Sequence, residues 1–236
     1  MTSSRKIVFG NIPLTLGVEK VSFYYRDIRF AYEQKGIRIL QFYEDEIRQK
    51  GAIVKSMVDA IIGEVEIKLM ARKCEFIDVP VDRASAFLDA NHLIGINRQA
   101  RFVGLTCEDK LVSVMAYRVH RTHVEIVRSA SLLNTVVRGS FQKLLTEVQR
   151  RHPDLKIRTL VDLRYADGHS LVKAGFVFVK IYMQYQYTDG KIRKDKRQFR
   201  VPAGTNEKEA ARAQGWYRIW DAGKAVYELP PLNLEK

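Results

Sequence analysis

The chain has 236 residues, of which 46% are hydrophobic and 28% are charged, so its composition excludes a chain that is disordered throughout. No apolar run approaches the roughly 18 residues of a membrane-spanning helix, and no long apolar stretch near the N-terminus predicts a signal peptide. Cys74 and Cys107 are the only cysteines and form no CxxC pair. We therefore expect a cytoplasmic protein without a disulfide framework, a structural metal, a cofactor or a membrane partner.

The charge balance points to an acidic partner. There are 40 Lys and Arg residues against 27 Asp and Glu residues, which gives a net charge of +13. An excess of this size attracts phosphate polymers through the release of counterions. Nucleic acid is the favoured interpretation, and solubility or another acidic partner is the alternative.

The N-terminal part alternates strands and helices. The apolar alternation of residues 6–21 predicts one bent strand or two short ones, and residues 24–36 have the apolar spacing of a helix that ends at a glycine. Residues 37–43 then predict a strand and residues 44–63 a helix. This order is typical of a small α/β unit.

Three carboxylates, Glu44, Asp45 and Glu46, directly follow the strand at residues 37–43. Clustered acids at the end of a strand suit a metal-dependent nuclease. They equally suit the first turn of a helix, whose N-terminus favours negative charge. Because they fall at a strand-to-helix junction, we interpret them as mainly structural.

A change of pattern around residues 64–76 marks a candidate boundary between two domains, residues 1–66 and 67–236. Downstream of it the spacing predicts, in order, these elements: a helix at 82–95, a hairpin at 101–118, a strand at 123–133, an amphipathic helix at 136–153, a strand at 157–163, a short helix at 168–175, a long strand at 176–187, a helix at 206–215 and a hairpin at 216–229.

Two clusters of basic residues are candidate phosphate-binding surfaces. The first follows the long strand and contains Lys191, Arg193, Lys194, Lys196, Arg197 and Arg200. The second surrounds the end of the amphipathic helix and contains Arg150, Arg151, Lys156, Arg158 and Arg164. A solvated loop is the alternative for the first cluster, and the helix dipole is a partial explanation of the second.

Five collinear stretches, "EQKGIRILQFYEDEI", "ARKCEFIDV", "FLDANHLIG", "GHSLVKAGF" and "GWYRIWDAGKAVYEL", resemble phage homing endonucleases of the EDxHD type. These proteins pair a nuclease domain, similar to the very-short-patch-repair endonuclease, with a domain similar to the GNAT acetyltransferases. The resemblance implies an α/β fold in which a small, truncated nuclease-like segment, residues 1–66, precedes a GNAT-like mixed α/β domain with a basic C-terminal extension.

The same resemblance implies that the nuclease chemistry is lost. Phe9 stands where the family has a catalytic acid, and Tyr25 stands where it has a histidine. Glu19 matches an acidic position and is the one catalytic candidate if nuclease activity survives. Tyrosine is a poor base at neutral pH, and a single carboxylate does not hold Mg²⁺.

The GNAT-like part raises a second activity. That fold receives the pyrophosphate of acyl-CoA at a glycine-rich turn that begins a helix, and the matching stretch here is "NTVVRGSFQKLL". It has one glycine, Gly139. Val136 stands at the Arg/Gln position and Phe141 at a small-residue position, where a bulky ring is expected to crowd the ligand.

These observations predict a non-catalytic nucleic-acid-binding protein derived from a homing endonuclease. Its expected target is the phosphate backbone of structured RNA, of a ribonucleoprotein such as the host ribosome, or of DNA. An active DNA homing endonuclease is the alternative hypothesis, and an acyl-CoA-dependent acyltransferase is a further one.

Overall fold

The computed structural model describes residues 6–14, 20 and 22–233. Contacts divide the chain into two compact units, and each unit is built from three segments of the chain. Unit 1 comprises Met1–Gln49, Val161–Asp167 and Lys180–Ala225. Unit 2 comprises Lys50–Leu160, Gly168–Val179 and Val226–Lys236. The predicted division into residues 1–66 and 67–236 stays a prediction.

Unit 1 begins with a strand, a helix and a second strand. These are β1 (Lys6–Ile12), α1 (Tyr24–Glu33) and β2 (Ile37–Tyr43). β1 and β2 pair in parallel from Lys6 opposite Ile37 to Ile12 opposite Tyr43. Parallel neighbours need a crossover connection, and the sequence supplies one in α1. The apolar core of this part contains Ile12, Leu14, Tyr25, Tyr43 and Ile219.

The helix α2 (Glu44–Ile62) follows β2 without a loop. It leaves helical geometry at Lys50, where φ is −130° and ψ is 33°. The Nζ of Lys50 donates to the carbonyl oxygens of His92, at 3.4 Å, and Leu93, at 2.7 Å. Lys50 is also the first residue of unit 2, so the kink lies where the chain passes from unit 1 to unit 2.

Unit 2 contains most of the strands of one large sheet. The strands of this sheet are β4 (Glu75–Asp78), β5 (Arg101–Cys107), β6 (Lys110–Val119), β7 (His123–Ser131), β9 (Lys156–Asp162), β10 (Val177–Tyr182) and β14 (Lys224–Leu229). Their order is β10-β14-β9-β7-β6-β5-β4. β4 to β7 pair antiparallel and β7 pairs parallel with β9, so the sheet is mixed.

Helices and a smaller sheet complete unit 2. They are α3 (Val81–Asn91), α4 (Ser140–Arg151), α5 (His169–Lys173), β3 (Ile67–Met70) and β8 (Thr135–Arg138). β3 and β8 form a two-stranded parallel sheet. α3 packs Ala84, Phe87 and Leu88 against apolar side chains of β5 and β6 such as Phe102 and Val114. Burial of these side chains from water is the main stabilising contribution in this layer.

A second small sheet lies in unit 1. It consists of β11 (Tyr185–Thr188), β12 (Arg193–Asp195) and β13 (Tyr217–Trp220), in the order β12-β11-β13, and α6 (Glu207–Ala213) precedes β13. Its core is aromatic, since Tyr187 packs against Phe199 with ring centroids 4.5 Å apart and Phe199 against Trp216 at 5.3 Å.

The mixed α/β fold with a large mixed sheet confirms the predicted fold at that level, and the predicted nuclease-like segment is not shown. Three element predictions are wrong. The helix predicted at residues 136–153 begins only at Ser140, because residues 135–138 form the strand β8. The long strand predicted at residues 176–187 is two strands, β10 and β11, in different sheets. The hairpin predicted at 216–229 is also two strands in different sheets, because β13 pairs with β11 and β14 joins the large sheet. Among the described residues, no helix is long and apolar enough to cross a membrane.

Candidate functional site

The parallel strands β7 and β9 separate partway along the large sheet. Their pairing ends at Ile126 opposite Thr159 after four residue pairs, whereas β7 continues to Ser131 with its other edge paired to β6. Leu160, the next residue of β9, is 40% exposed although its strand lies inside the sheet. The described part of β7 beyond Ile126 therefore has one edge of backbone N–H and C=O groups that β9 does not pair.

The helix α4 begins shortly after β7 ends. β8 leads into Gly139, whose φ of 81° is in the left-handed region that favours glycine, and the helix starts at Ser140. Arg138 and Gly139 are exposed. The first N–H groups of a helix have no partner within the helix and carry partial positive charge, so this helix start is suited to an anion.

Basic side chains surround the start of α4. A Cβ atom on Gly139 would lie 3.7 Å from the Cβ atom of Ala71, so the two backbones are adjacent. Arg72 and Lys73 follow Ala71 directly, and both are exposed. The Nζ of Lys143, on the first turns of α4, donates to the carbonyl oxygen of Ala71 at 3.1 Å. The positive field of the helix start is thus reinforced by neighbouring cations.

Phe141 and Val136, the two residues that spoke against acyl-CoA binding in the sequence, have structural roles: Phe141 packs against another ring, and Val136 lies in a paired strand. The half-buried ring of Phe141 lies against Phe176, with centroids 6.4 Å apart and an angle of 48° between the rings. Val136 is a residue of β8 and lies opposite Lys68 of β3. Packing on Phe176 therefore gives the bulky ring of Phe141 a structural role, as an alternative to the expected crowding of a ligand.

The three carboxylates at residues 44–46 do not face a common centre. Glu44 accepts a hydrogen bond from the backbone N–H of Leu14 at 2.9 Å and another from Asn11 Nδ2 at 3.2 Å. The side chains of Asp45 and Glu46 are buried and bind arginines instead. No group of three or more metal-binding side chains that could hold an ion occurs in the part of the chain that the structure describes.

Asp45 and Glu46 belong to a buried ionic network in unit 1. Arg193 Nε lies 2.8 Å from Asp45 Oδ1, and Arg164 Nη1 lies 2.6 Å from Glu46 Oε2. The side chain of Arg164 is 3% exposed and also binds Asp162 at 2.8 Å. Burial opposes ionisation of Glu46, but the two guanidinium groups outweigh it and lower its pKa. These acids are therefore held as charged partners of arginine.

The positions matched to nuclease residues have no catalytic environment. Phe9 is an exposed residue of β1, and Tyr25 is buried in the apolar core of unit 1. Burial, with smaller effects of Tyr24 and Glu44, raises the pKa of Tyr25 to about 12, so it does not act as a base near neutral pH. Glu19 lies outside the described residues.

The first basic cluster is divided among separate internal contacts. Arg193 lies in the buried network, with its guanidinium carbon 3.7 Å from the ring centre of Tyr43. Lys194 and Lys196 place their ammonium groups over the rings of Trp216, at 4.3 Å, and Tyr185, at 5.0 Å. Exposed Arg197 binds Asp195 at 2.9 Å.

The two remaining cations of this cluster are exposed. The backbone oxygen of Lys191 accepts a hydrogen bond from Arg48, and Arg200 follows the short 3₁₀ helix Lys196–Phe199. The cluster is therefore not one surface of like side chains, because its members differ in burial and in the groups that they contact.

The second basic cluster is paired with acids. Arg150 and Arg151 both bind Glu147, at 2.7 and 3.0 Å, and Arg151 binds Asp78 at 2.5 Å. The structure also brings Lys156 and Arg158 together on one carboxylate, that of Glu228, at 2.9 and 2.6 Å. Each of these cations has an acidic partner within unit 2.

Sequence reasoning missed the buried ionic network. Arg164, predicted as a member of the second basic cluster, is instead buried and joins Asp162 to Glu46. Lys224 Nζ contacts Asp162 Oδ2 and lies 3.1 Å from Asp221 Oδ2. The local signal was the Asp-Leu-Arg spacing at residues 162–164, which places an acid and a base within reach of each other. The partnership with residues 45 and 46 has no local signal, because it depends on tertiary folding.

No protein-family model matches the chain, and no curated protein matches it. Among solved structures, an acetyltransferase of Bacillus subtilis in complex with CoA is similar at 17% identity and a TM-score of 0.39, over 67% of this chain and 97% of that one. A GNAT family acetyltransferase of Elizabethkingia anophelis with acetyl-CoA bound is similar at 12% identity and a TM-score of 0.42, over 67% and 98%. N-acetylglutamate synthase of Neisseria gonorrhoeae, complexed with coenzyme A and N-acetyl-glutamate, is similar at 10% and 0.38, over 98% and 74%.

The predicted origin from a homing endonuclease and the predicted nucleic-acid partner are wrong. The similar structures are acetyltransferases and an N-acetylglutamate synthase with coenzyme A compounds, and none of those reported above is a nuclease. The contacts supply a physical reason, since Arg193 is buried against Asp45 and Glu46. The cations Arg150, Arg151, Lys156 and Arg158 are likewise paired with acids. The expected partners therefore no longer include structured RNA, a ribonucleoprotein such as the ribosome, or DNA.

Proposed function

We propose that unit 2 is a GNAT-like domain that binds an acyl-CoA and that the protein transfers the acyl group to an acceptor. The observation that carries this proposal is the separation of β7 from β9 beyond Ile126 and Thr159. It leaves part of one edge of β7 unpaired by β9 in the interior of the sheet. The exposed start of α4 follows shortly afterwards along the chain.

The chemistry of coenzyme A fits these two features. Its pantetheine arm carries amide groups that can pair with the unfilled edge of β7, as an added strand would. Its pyrophosphate can accept hydrogen bonds from the first N–H groups of α4, beside Arg138 and near Arg72 and Lys73. Exposed Leu160 offers an apolar contact at the opening.

In the proposed reaction, a nucleophilic nitrogen or oxygen of the acceptor attacks the thioester carbonyl carbon. The carbon–sulfur bond breaks as the new bond forms, the acceptor loses a proton, and the sulfur of coenzyme A gains one. Donors fixed near the developing negative charge on the carbonyl oxygen would stabilise the transition state. The edge N–H groups of β7 are such donors.

Calorimetric titration with acetyl-CoA tests the binding, with Arg138→Gln as the diagnostic variant. Loss of a charge-assisted contact to the pyrophosphate is expected to weaken the affinity about tenfold. Arg150→Gln is the matched control, because it removes the same charge near the other end of α4, about 15 Å from the start of the helix. It is expected to bind as the unaltered protein does.

Three results would contradict the proposal. A flat titration of the unaltered protein with both acetyl-CoA and coenzyme A would show that the protein does not bind an acyl-CoA. Equal weakening in Arg138→Gln and Arg150→Gln would indicate general attraction by a chain of net charge +13 and not a site at α4. Binding without release of free coenzyme A thiol in the presence of amine acceptors would remove the transfer step.

A further inference from the structure

The two cysteines meet across neighbouring strands. Glu75 of β4 lies opposite Thr106 of β5 in antiparallel register, so the next residues outward, Cys74 and Cys107, face each other. Both cysteines are free, and interaction with the Cys107 thiol contributes to the raised pKa of Cys74. No local pattern indicates this contact, because the register of β4 on β5 brings together residues that are distant along the chain.

This arrangement suits a disulfide bond. Directly opposed residues of antiparallel strands have Cα atoms about 4.5–5.5 Å apart. Disulfides form where the Cα separation is about 4.4–6.8 Å. A bond between Cys74 and Cys107 would therefore need rotation of the side chains and little movement of the backbone.

The two thiols differ in access. Cys107 ends β5 beside the two-residue turn at Glu108 and Asp109, and it is half-buried. Cys74 is buried, and its thiol also faces the carbonyl oxygen of Met70 at 3.6 Å. Burial, followed by the hydrogen bond with Cys107, raises the pKa of Cys74 to about 11. A reagent in solution therefore meets Cys107 first.

We propose that Cys74 and Cys107 form an oxidative modification site that accepts low-molecular-weight disulfides of the glutathione type. The Cys107 thiolate attacks one sulfur of the reagent, and a mixed disulfide forms as one thiolate leaves. Cys74 then loses its proton and attacks the sulfur of Cys107, which releases the second thiolate. The protein loses two electrons and two protons, and one reagent disulfide becomes two thiols.

The bond would fix the segment on which α4 rests. Lys143 of α4 donates to the carbonyl oxygen of Cys74 at 2.5 Å, besides its bond to Ala71 at 3.1 Å. A link from Cys74 to Cys107 would tie this segment covalently to the end of β5. It closes a loop that contains α3 and β5, so the unfolded chain would lose entropy and the folded state would gain stability.

Oxidised glutathione, followed by mass spectrometry and thermal unfolding, tests the proposal. The unaltered protein is expected to lose both free thiols and the mass of two hydrogen atoms, without a glutathione adduct. Its Tm is expected to rise by about 5–10 °C. Reduction with a dithiol should restore both thiols and the original Tm.

Two single variants assign the order of the steps. In Cys74→Ser the reaction is expected to stop at a glutathione adduct on Cys107. In Cys107→Ser the buried Cys74 is expected to stay unmodified. If Cys74→Ser folds poorly, Cys74→Ala takes its place. A stable adduct on Cys107 in the unaltered protein, or disulfide-linked dimers alone, would overturn the proposal. Equal adduct formation in both variants would overturn the order. None of these readouts depends on acyl-CoA binding.

Discussion

One ion-pair geometry occurs twice in unit 1, once buried and once exposed. Arg164 binds Asp162, and Arg197 binds Asp195, in each case through Nε and Nη2 and with the arginine backbone N–H donating to the same carboxylate. The side chain of Arg164 is 3% exposed, whereas that of Arg197 is 71% exposed. The two pairs therefore separate the effect of burial from the effect of geometry.

Replacing Arg164 with Met is expected to destabilise the protein strongly. The change leaves Asp162 without one of its cations and Glu46 without its 2.6 Å partner, in surroundings that water does not reach. Removal of one partner from a buried ion pair costs about 3–5 kcal/mol of unfolding free energy. Urea unfolding followed by circular dichroism measures the difference.

Arg197→Met is the matched control for this measurement. Solvent screens the exposed pair with Asp195, so the free energy of unfolding is expected to stay unchanged within experimental error. A similar loss of stability in both variants would show that the local Asp-x-Arg geometry matters more than burial. No loss in Arg164→Met would show that Lys224 and Arg193 compensate for the missing charge.

At the scale of elements, β5 is packed closely at Gly104. A Cβ atom there would lie 2.7 Å from Cγ2 of Val79, 2.8 Å from the backbone oxygen of Ser113 and 2.9 Å from Cδ1 of Leu111. Part of this contact is backbone, which cannot rotate away as a side chain can. The approach of β6 to β5 therefore depends on the missing side chain.

Gly104→Ala is expected to destabilise the protein by about 1–3 kcal/mol, because the strands must separate to admit the methyl group. Gly51→Ala, in helix α2, is the matched control, since a Cβ atom there meets nothing within 4 Å. The control is expected to be neutral or to stabilise by up to about 1 kcal/mol. Equal effects of the two substitutions on the urea midpoint would contradict the close packing at β5.

Elements with a strong local period were predictable from the sequence, and those defined by distant partners were not. The helix α4 has its apolar face at Leu144, Leu145 and Val148, which are all buried. β8, in contrast, lies within the stretch predicted as the start of that helix, and it is a strand because β3 pairs with it. The separate sheets of β10 and β11 have the same cause, since pairing with β13 and β12 decides where β11 lies.

The candidate site was predictable only in part for the same physical reason. The resemblance placed Gly139 at the start of a helix, whereas the apolar pattern alone predicted a helix that already includes residues 136–138. The opening between β7 and β9 depends on a pairing register that no local pattern encodes. The same holds for the contact of Cys74 with Cys107 and for the arginine partners of Asp45 and Glu46.

For the whole molecule, paired carboxylates are expected to set the stability in acid. Hydrogen bonds from Arg150 outweigh the opposing effect of burial and, with those from Arg151, lower the pKa of Glu147 from 4.5 to about 2. A carboxylate with a lowered folded-state pKa stabilises the fold above its unfolded pKa. This contribution is therefore complete above about pH 4.5 and is lost as the pH falls towards about 2.

Urea unfolding between neutral pH and about pH 2 measures this dependence. Glu147→Gln is expected to be less stable at neutral pH and to lose less stability in acid than the unaltered protein. Glu108→Gln, an exposed position in the turn between β5 and β6, is the control and is expected to follow the unaltered curve. Coinciding slopes for Glu147→Gln and the unaltered protein would contradict the role of this carboxylate.

The three-segment composition of unit 1 has a consequence for the order in which the chain is made. Its first segment ends at Gln49, but Arg164 and Arg193, which neutralise Glu46 and Asp45, and Ile219, which completes the core, are synthesised much later. At about 5–20 residues per second, the nascent N-terminal segment waits on the order of ten seconds or more for them. During that interval its apolar side chains are exposed to chaperones and to neighbouring nascent chains, so the yield of folded protein should depend on how this early segment is protected.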